Sequence, residues 1–269
     1  IDLLLQTLRI NRERLSSRTE IAIDTTIHVI IIIFLATLVR SAFGFGESLI
    51  AVPLLALSIP IAIAVPLSVL VSITVAGVVV AQDWKKIHFA SAGWLIASTF
   101  IGIPLGLMIL THASKQNVKL GLGVIIIAFS LYSLIGKNPI TLKNEKLSWL
   151  LSCGFFAGIL GGAYGLNGPP LVIYGAMRRW SAQHFRATLQ GYFLPASLVG
   201  LAGFWLAGLW VPLVTHYYVV CLPFVLAAVV LGRILNRRLH GENFFKFVYI
   251  GLLAIGILFL IQSAGRIPA

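Results

Sequence analysis

The chain has 269 residues, of which 59% are hydrophobic and only 10% are charged, and its mean hydropathy is +0.98. Soluble domains carry about 25% charged residues, so this composition excludes a soluble globular protein and indicates an integral membrane protein. The net charge of +12 does not indicate nucleic-acid binding. The 20 Lys and Arg are scattered through short connections between apolar runs, which is how membrane proteins fix their topology.

The amino-terminal stretch 1–20 differs from the rest of the chain because leucines and arginines alternate near helical spacing. Two interpretations remain open for it. One is an amphipathic arm on the bilayer surface, and the other is a disordered tail.

Beyond this arm, apolar segments follow one another in two sets of five. They are continuous rather than alternating, which predicts helices and not barrel strands. The first set covers about 21–39, 47–57, 63–81, 90–110 and 118–135. The second set covers about 147–163, 169–177, 185–206, 214–235 and 244–261. We therefore predict an all-α polytopic membrane protein with two repeats, 21–136 and 147–263, a polar linker 137–146 and a tail 264–269.

The second segment of each set is shorter than a usual membrane span. If the short segments cross the membrane, there are ten crossings and the repeats are inverted. If they are re-entrant, there are eight crossings and the repeats are parallel. The distribution of Lys and Arg between the loops favours ten crossings with the linker on the cytoplasmic side.

Glycine-rich turns precede both short segments. The stretch 161–171 holds four glycines and two prolines, and Tyr164-Gly165 within it corresponds to Phe43-Gly44 in the stretch 43–48. Irregular backbone in a membrane is tolerated where it is buried in protein or lines a cavity, and paired interruptions in two halves point to a transporter's binding site. The alternative is that the glycines only allow helices to pack closely. That packing role is also predicted for the G-x-x-x-G pairs Gly102/Gly106 and Gly154/Gly158.

Two charged residues lie near these turns. Glu47 is the one acid of eight that sits away from a predicted water interface. It is a candidate for carrying a coupling proton, and the alternative is that it caps the short helix. Arg186 is a candidate anion ligand because its guanidinium offers a fork of donors, and the alternative is an arginine that reaches the lipid headgroups. Arg40 is expected to be an interfacial anchor.

The polar residues nearest the turns complete the candidate site. Neutral donors are expected from side chains at the turns, and backbone N–H groups are expected at the start of each short helix, where the helix dipole favours anions. The candidate substrate-binding residues are Gly44, Gly46, Ser48, Gly165, Asn167, Gly168, Arg186, Thr188 and Gln190.

No pattern indicates an enzyme, a metal site or a cofactor. The six histidines are dispersed along the chain, and no C-x-x-C or H-E-x-x-H spacing occurs. Cys153 and Cys221 lie inside apolar segments, where packing is their expected role. The expected partners are a small anion, the lipid bilayer and protons as a coupling ion, and the sequence gives no oligomeric state.

The two glycine turns, the stretch Leu166–Leu171, the Arg186-Ala187-Thr188 that follows and the duplicated halves resemble the TauE/SafE sulfite exporter family. The resemblance covers about residues 25–263. It implies a multi-pass carrier in the cell membrane for sulfite, sulfonates or related sulfur anions, with the site between the turns. The chain departs from the family at Glu47, where further glycines are more usual, and a carboxylate repels an anion unless it is protonated or paired. An anion channel and a non-transporting membrane scaffold are the alternative functions.

Overall fold

The computed structural model describes the backbone of residues 2–83, 89–135, 147–178, 182–236 and 242–263. Side chains are described for residues 23–81, 93–135, 147–178, 188–236 and 249–263. Within these ranges the chain forms helices and no strand, which confirms the all-α prediction. The helices are α1 (Asp2–Phe43), α2 (Glu47–Ser58), α3 (Ile61–Asp83), α4 (Phe89–His112), α5 (Lys115–Ile135), α6 (Leu147–Tyr164), α7 (Gly168–Met177), α8 (Ala182–Leu206), α9 (Pro212–Asn236) and α10 (Glu242–Ser263).

The helix boundaries follow the predicted segments closely because long apolar runs and Gly or Pro breaks are local signals. The exception is α1, whose helix begins at Asp2 and includes the stretch predicted as an arm. The side chains of residues 1–22 lie outside the described ones, so the amphipathic character of the arm stays a prediction. The linker 137–146 and the tail 264–269 also lie outside the described residues.

Seven of the described helices are long and apolar enough to cross a membrane. Their outer faces carry exposed large hydrophobic side chains, such as Ile101 (66% exposed), Val230 (61%) and Leu206 (80%). A continuous apolar surface of this kind is unfavourable in water and is matched by lipid chains. The helices therefore form a membrane-embedded bundle.

Helices α1 and α6 end in the same way. Gly44 has φ 91° and Gly165 has φ 66°, which is the left-handed region that glycine adopts without a steric penalty. The Gly44 N–H donates to Arg40 O (2.6 Å), and the Gly165 N–H donates to Gly161 O (2.9 Å). In each case the bond closes the helix by a left-handed glycine cap, and a short helix follows.

Close helix contact at the glycine pairs is confirmed. Gly102 and Gly106 on α4 face Gly154, Gly158 and Gly162 on α6, and a Cβ at any of these five positions would overlap the opposing helix. Helices α4 and α6 accordingly form the most extensive contact in the bundle. Small residues let two backbones approach closely, which is the main source of helix association in lipid.

The remaining large contacts join the two halves of the chain. Helix α1 packs on α9, α5 on α10, and α3 on α8. The contacts between α5 and α10 show that these two helices run in opposite directions, because residue numbers rise along one as they fall along the other. The pairs in contact are Gln116 with Ser263, Gly123 with Gly256, and Phe129 with Tyr249.

Candidate functional site

A buried ion pair lies at the first glycine turn. Arg40, in the last turn of α1, is 3% exposed, and Glu47, the first residue of α2, is 1% exposed. The Arg40 Nη1 donates to Glu47 Oε2, because the reversal of the chain at Gly44–Gly46 brings the two side chains together. The expectation that Arg40 is an interfacial anchor is wrong. Its side chain turns into the bundle between helices instead of toward the bilayer surface.

Further contacts tie the Arg40 guanidinium to α3 and α8. Arg40 Nη1 also donates to Ser72 Oγ (2.6 Å), and Nη2 donates to Gln190 Oε1 (3.1 Å). Gln190 Nε2 in turn donates to Gly44 O at 2.9 Å. The guanidinium carbon lies 4.9 Å from the centre of the Phe193 ring, within the range of a cation–π contact. The cation is therefore held by residues from both halves of the chain.

The ion pair is not fully satisfied by the protein. Arg40 Nε and Glu47 Oε1 are buried, and neither has a hydrogen-bond partner among the described residues. A buried polar atom without a partner costs about 1–3 kcal/mol, so such atoms usually face a water, an ion or a ligand. The pair thus keeps one donor and one acceptor available inside the bundle.

A cavity of about 30 Å³ adjoins the pair and lies between the two glycine turns. A volume of this size holds one or two water molecules. Polar groups and glycine backbone from both halves line it, and aromatic and aliphatic side chains complete the wall. The polar lining includes Arg40, Glu47, Ser48, Ser72, Asn167 and Ser197.

The nine residues predicted to bind substrate differ in their position relative to the cavity. Five of them line the cavity: Gly46, Ser48, Gly165, Asn167 and Gly168. Gly44 and Gln190 lie just behind it and hold each other through the bond described above.

The two other candidates are placed differently. Thr188 is buried, its Oγ1 has no partner among the described residues, and it does not line the cavity. The side chain of Arg186 lies outside the described residues, so its role stays a prediction.

The second turn carries no charge at the cavity. Asn167 is 7% exposed, and its Oδ1 lies against Gly161, where a Cβ would overlap it. Pro169 and Pro170 occupy the first turn of α7 and have no N–H. Helix α7 therefore offers fewer backbone donors than the sequence argument assumed.

Sequence reasoning missed Ser72, Ser197 and Phe193. Ser72 Oγ and Ser197 Oγ lie 3.4 Å apart and join α3 to α8 beside the cavity. The available signal was weak, because single serines are common in apolar helices and often bond to their own backbone. Elsewhere in the described side chains, no group of three or more His, Cys, Asp and Glu residues is placed to hold a metal ion.

One curated relative is similar over part of the chain. It is the "Probable sulfite/organosulfonate exporter TauE" of Cupriavidus necator, 29% identical over 90 residues. The alignment covers 34% of this chain and 34% of that relative, so it spans about a third of each. No solved structure matches.

A family match covers much more of the molecule. The family described as "Sulfite exporter TauE/SafE" matches residues 29–259. This range contains both glycine turns, the Arg40–Glu47 pair and the helices that surround the cavity. With seven long apolar helices in the described part of the chain, this is a multi-pass protein of the cell membrane. The chain belongs to the TauE/SafE sulfite exporter family.

Proposed function

We propose that the protein is a secondary transporter that moves a small sulfur-containing anion, such as sulfite or a small sulfonate, by alternating access. The observation that carries this proposal is a buried arginine with an unused donor beside a cavity between two glycine turns. A buried ionisable residue in a membrane protein is costly and is retained for function by default. The relative named above is described as exporting sulfite and organosulfonates, which supports the substrate class.

The chemistry of the cavity suits an oxyanion. A guanidinium donates along a fork that matches two oxygens of a sulfur oxyanion, and the start of α2 adds a positive helix-dipole end. Ser48 from the first turn and Asn167 from the second supply neutral polar groups to the cavity wall. Phe193 covers one face of the guanidinium and keeps that face away from water.

Glu47 supplies a route for proton coupling. When it is ionised, its carboxylate occupies Arg40 and repels an anion. When it takes up a proton, the ion pair is lost and the guanidinium is free to bind the anion. Proton and anion then bind together, which is the requirement for symport. The alternative role, a helix cap, is not favoured, because one carboxylate oxygen bonds to Arg40 and the other has no partner among the described residues.

The pattern of helix contacts supports two inverted repeats of five helices each. If α1 corresponds to α6 and α4 to α9, the contact of α1 with α9 corresponds to that of α6 with α4. The contacts of α3 with α8 and of α5 with α10 join equivalent helices. Equivalent helices of inverted repeats run in opposite directions, as α5 and α10 do, whereas parallel repeats would direct them alike. We therefore infer ten crossings and two repeats that rock about the cavity between them.

Accessible cysteines test this topology. Cysteines introduced at Ser58 and at Trp210 are expected to react from outside the cell, and one at Lys143 only from the cytoplasm. Reaction of Ser58 and Trp210 from opposite faces would rule out inverted repeats with ten crossings.

A flux screen tests the transport proposal. Purified protein in proteoliposomes is offered sulfite, thiosulfate, sulfate and small sulfonates, with and without a proton gradient. We expect accumulation of at least one sulfur anion when the gradient is imposed, and exchange of labelled for unlabelled anion without it. Single-channel currents in the same membranes would indicate a channel instead. Absence of both flux and anion binding would indicate a scaffold.

A further inference from the structure

A second and larger cavity, of about 600 Å³, lies at the opposite end of α2 from the Arg40–Glu47 pair. Its walls come from the end of α2, the start of α3, the start of α5 and the end of α10. It shares no lining residue with the first cavity. The 12-residue helix α2 therefore contributes its first turn to one cavity and its last turn to the other.

The charged residues described in the wall of this second cavity are both cations. Lys115 and Lys119 lie one helical turn apart at the start of α5, and no acid is present among the described lining residues. Lys115 is exposed and Lys119 is half-buried, so both ammonium groups can reach the cavity from its rim. The start of α5 adds the positive end of a helix dipole, which strengthens the preference for an anion.

The end of α10 forms a polar part of the wall and is held in place. Ser263 Oγ donates to Gln116 O (3.3 Å), and Gln116 Nε2 donates to Ser263 O, so the end of α10 is fixed to the start of α5. The neighbouring Gln262 lines the cavity, and its Oε1 is buried with no partner among the described residues. Rotation of the amide exchanges its oxygen for an N–H donor. The cavity thus has an uncommitted polar group in addition to its two cations.

We infer that this cavity is a second anion site, a vestibule that takes a small oxyanion through Lys115, Lys119 and Gln262. Two sources share that chemistry: a free sulfur oxyanion and the phosphate of an acidic lipid headgroup. An apolar layer separates the vestibule from the first cavity, because Leu49, Val52 and Ala56 of α2 pack with residues of α5 and α10. The inference rests on the proposed function only for the identity of the free anion. The evidence for the site itself comes from the residues that line it.

Sulfite binding to the purified protein in nanodiscs of phosphatidylcholine tests the site. We expect two classes of sulfite-binding site in the wild type. The double variant Lys115→Gln with Lys119→Gln should weaken one class by roughly tenfold or more, because charged hydrogen bonds are lost. The matched double variant with arginine at both positions keeps the charges and should keep that class. Equal binding in the glutamine and wild-type proteins would overturn the inference.

Two further measurements distinguish a lipid headgroup from a free anion and the second cavity from the first. In nanodiscs that contain phosphatidylglycerol, the wild type could lose the lysine-dependent class of sulfite sites and retain lipid phosphate that the glutamine variant does not retain. These two results together would identify a lipid headgroup as the occupant. Persistence of that class would identify the free anion. The double variant Arg40→Gln with Glu47→Gln should lose only the other class. If the wild type shows only the lysine-dependent class of sulfite sites, the result contradicts the proposed function and supports the second anion site.

Discussion

The two glycine turns share a left-handed glycine cap at the end of a long helix and differ in chemistry. Each ends a long helix with a left-handed glycine cap and starts a short helix that borders the same cavity. The first turn brings a buried cation and a buried acid to that cavity, whereas the second brings an amide and two prolines. Both turns contribute to the cavity wall, but the charged side chains described there come from the first turn.

This asymmetry has a physical reason. Each charge taken out of water carries a large desolvation cost, which a partner of opposite sign offsets. Among the described residues, the pair at the first turn places one cation beside one acid at the cavity. Substitutions at either turn can remove this difference in charge or measure its effect.

The largest effect is expected from Arg40→Gln. This change leaves Glu47 buried without its counter-ion, and breaking a buried pair costs about 3–5 kcal/mol. We expect a clear loss of thermal stability together with loss of sulfite binding. The double variant with Glu47→Gln should recover much of the stability without recovering binding. Wild-type affinity in that double variant would show that Arg40 does not bind the anion.

Arg186→Gln tests the candidate anion-binding cation in the second half of the chain, for comparison with Arg40. If Arg186 binds the anion, its removal should lower affinity roughly ten- to a hundredfold, because hydrogen bonds to charged groups are worth about 1.5–3 kcal/mol. The folded protein should survive. Unchanged affinity would place Arg186 at the lipid interface and leave Arg40 as the cation of the site.

The next effect is the pH dependence of sulfite binding and its change in Glu47→Gln. In the wild type, protonation of Glu47 frees Arg40, so sulfite affinity should fall as pH rises, by up to about tenfold per pH unit where one proton is linked to binding. Glutamine does not titrate, so the variant should bind sulfite with little dependence on pH and keep anion exchange. It should lose uptake driven by a proton gradient. Gradient-driven uptake by the variant would exclude Glu47 as the coupling site, and a stability loss of about 1 kcal/mol alone would indicate a cap.

A smaller effect is expected from alanine at the glycines. Gly46 has φ 97°, where an L-residue costs about 1–2 kcal/mol, so Gly46→Ala should lower thermal stability and disturb the Arg40–Glu47 pair. Gly168→Ala is the matched control, because Gly168 does not have a positive φ and a Cβ there meets nothing within 4 Å. Equal stability of the two variants would mean that the first turn is not strained by a side chain.

The smallest effect is expected from Asn167→Ala at the neutral turn. Asn167 Oδ1 makes no hydrogen bond within the described part of the protein, so its removal should not break an existing contact. We expect a loss of sulfite affinity within the range of one neutral hydrogen bond, about 0.5–1.5 kcal/mol, measured by titration. A loss as large as that of Arg40→Gln would show that the two turns contribute equally.

Much of the fold was predictable from local signals. Apolar run length predicted the helices, and glycine and proline predicted where α1 and α6 end, because both depend on the chain's own backbone over a few residues. The candidate site was predictable only in part. Glu47 stood out as a lone acid in an apolar run, and the cavity-lining glycines stood out through their pairing.

Arg40 shows why the rest was not predictable. Its helix is apolar around most of its circumference in the membrane segment, so the sequence has no periodicity that indicates which face is buried. An arginine near the end of such a segment is ordinarily an interfacial anchor. Only the tertiary arrangement, which places Ser72 of α3 and Gln190 of α8 within reach of the Arg40 side chain, directs its guanidinium to these residues, which lie 32 and 150 residues away in the chain.

The class of protein, the helical segments and the two breaks were readable from the chain alone, since each follows from composition and from short-range backbone preferences. The tertiary structure decided which residues meet: the pairing of Arg40 with Glu47, the cavity beside them and the second cavity at the end of α2. Those contacts depend on the rotation and direction of helices far apart in sequence, and in a chain that is apolar on most faces only packing fixes them.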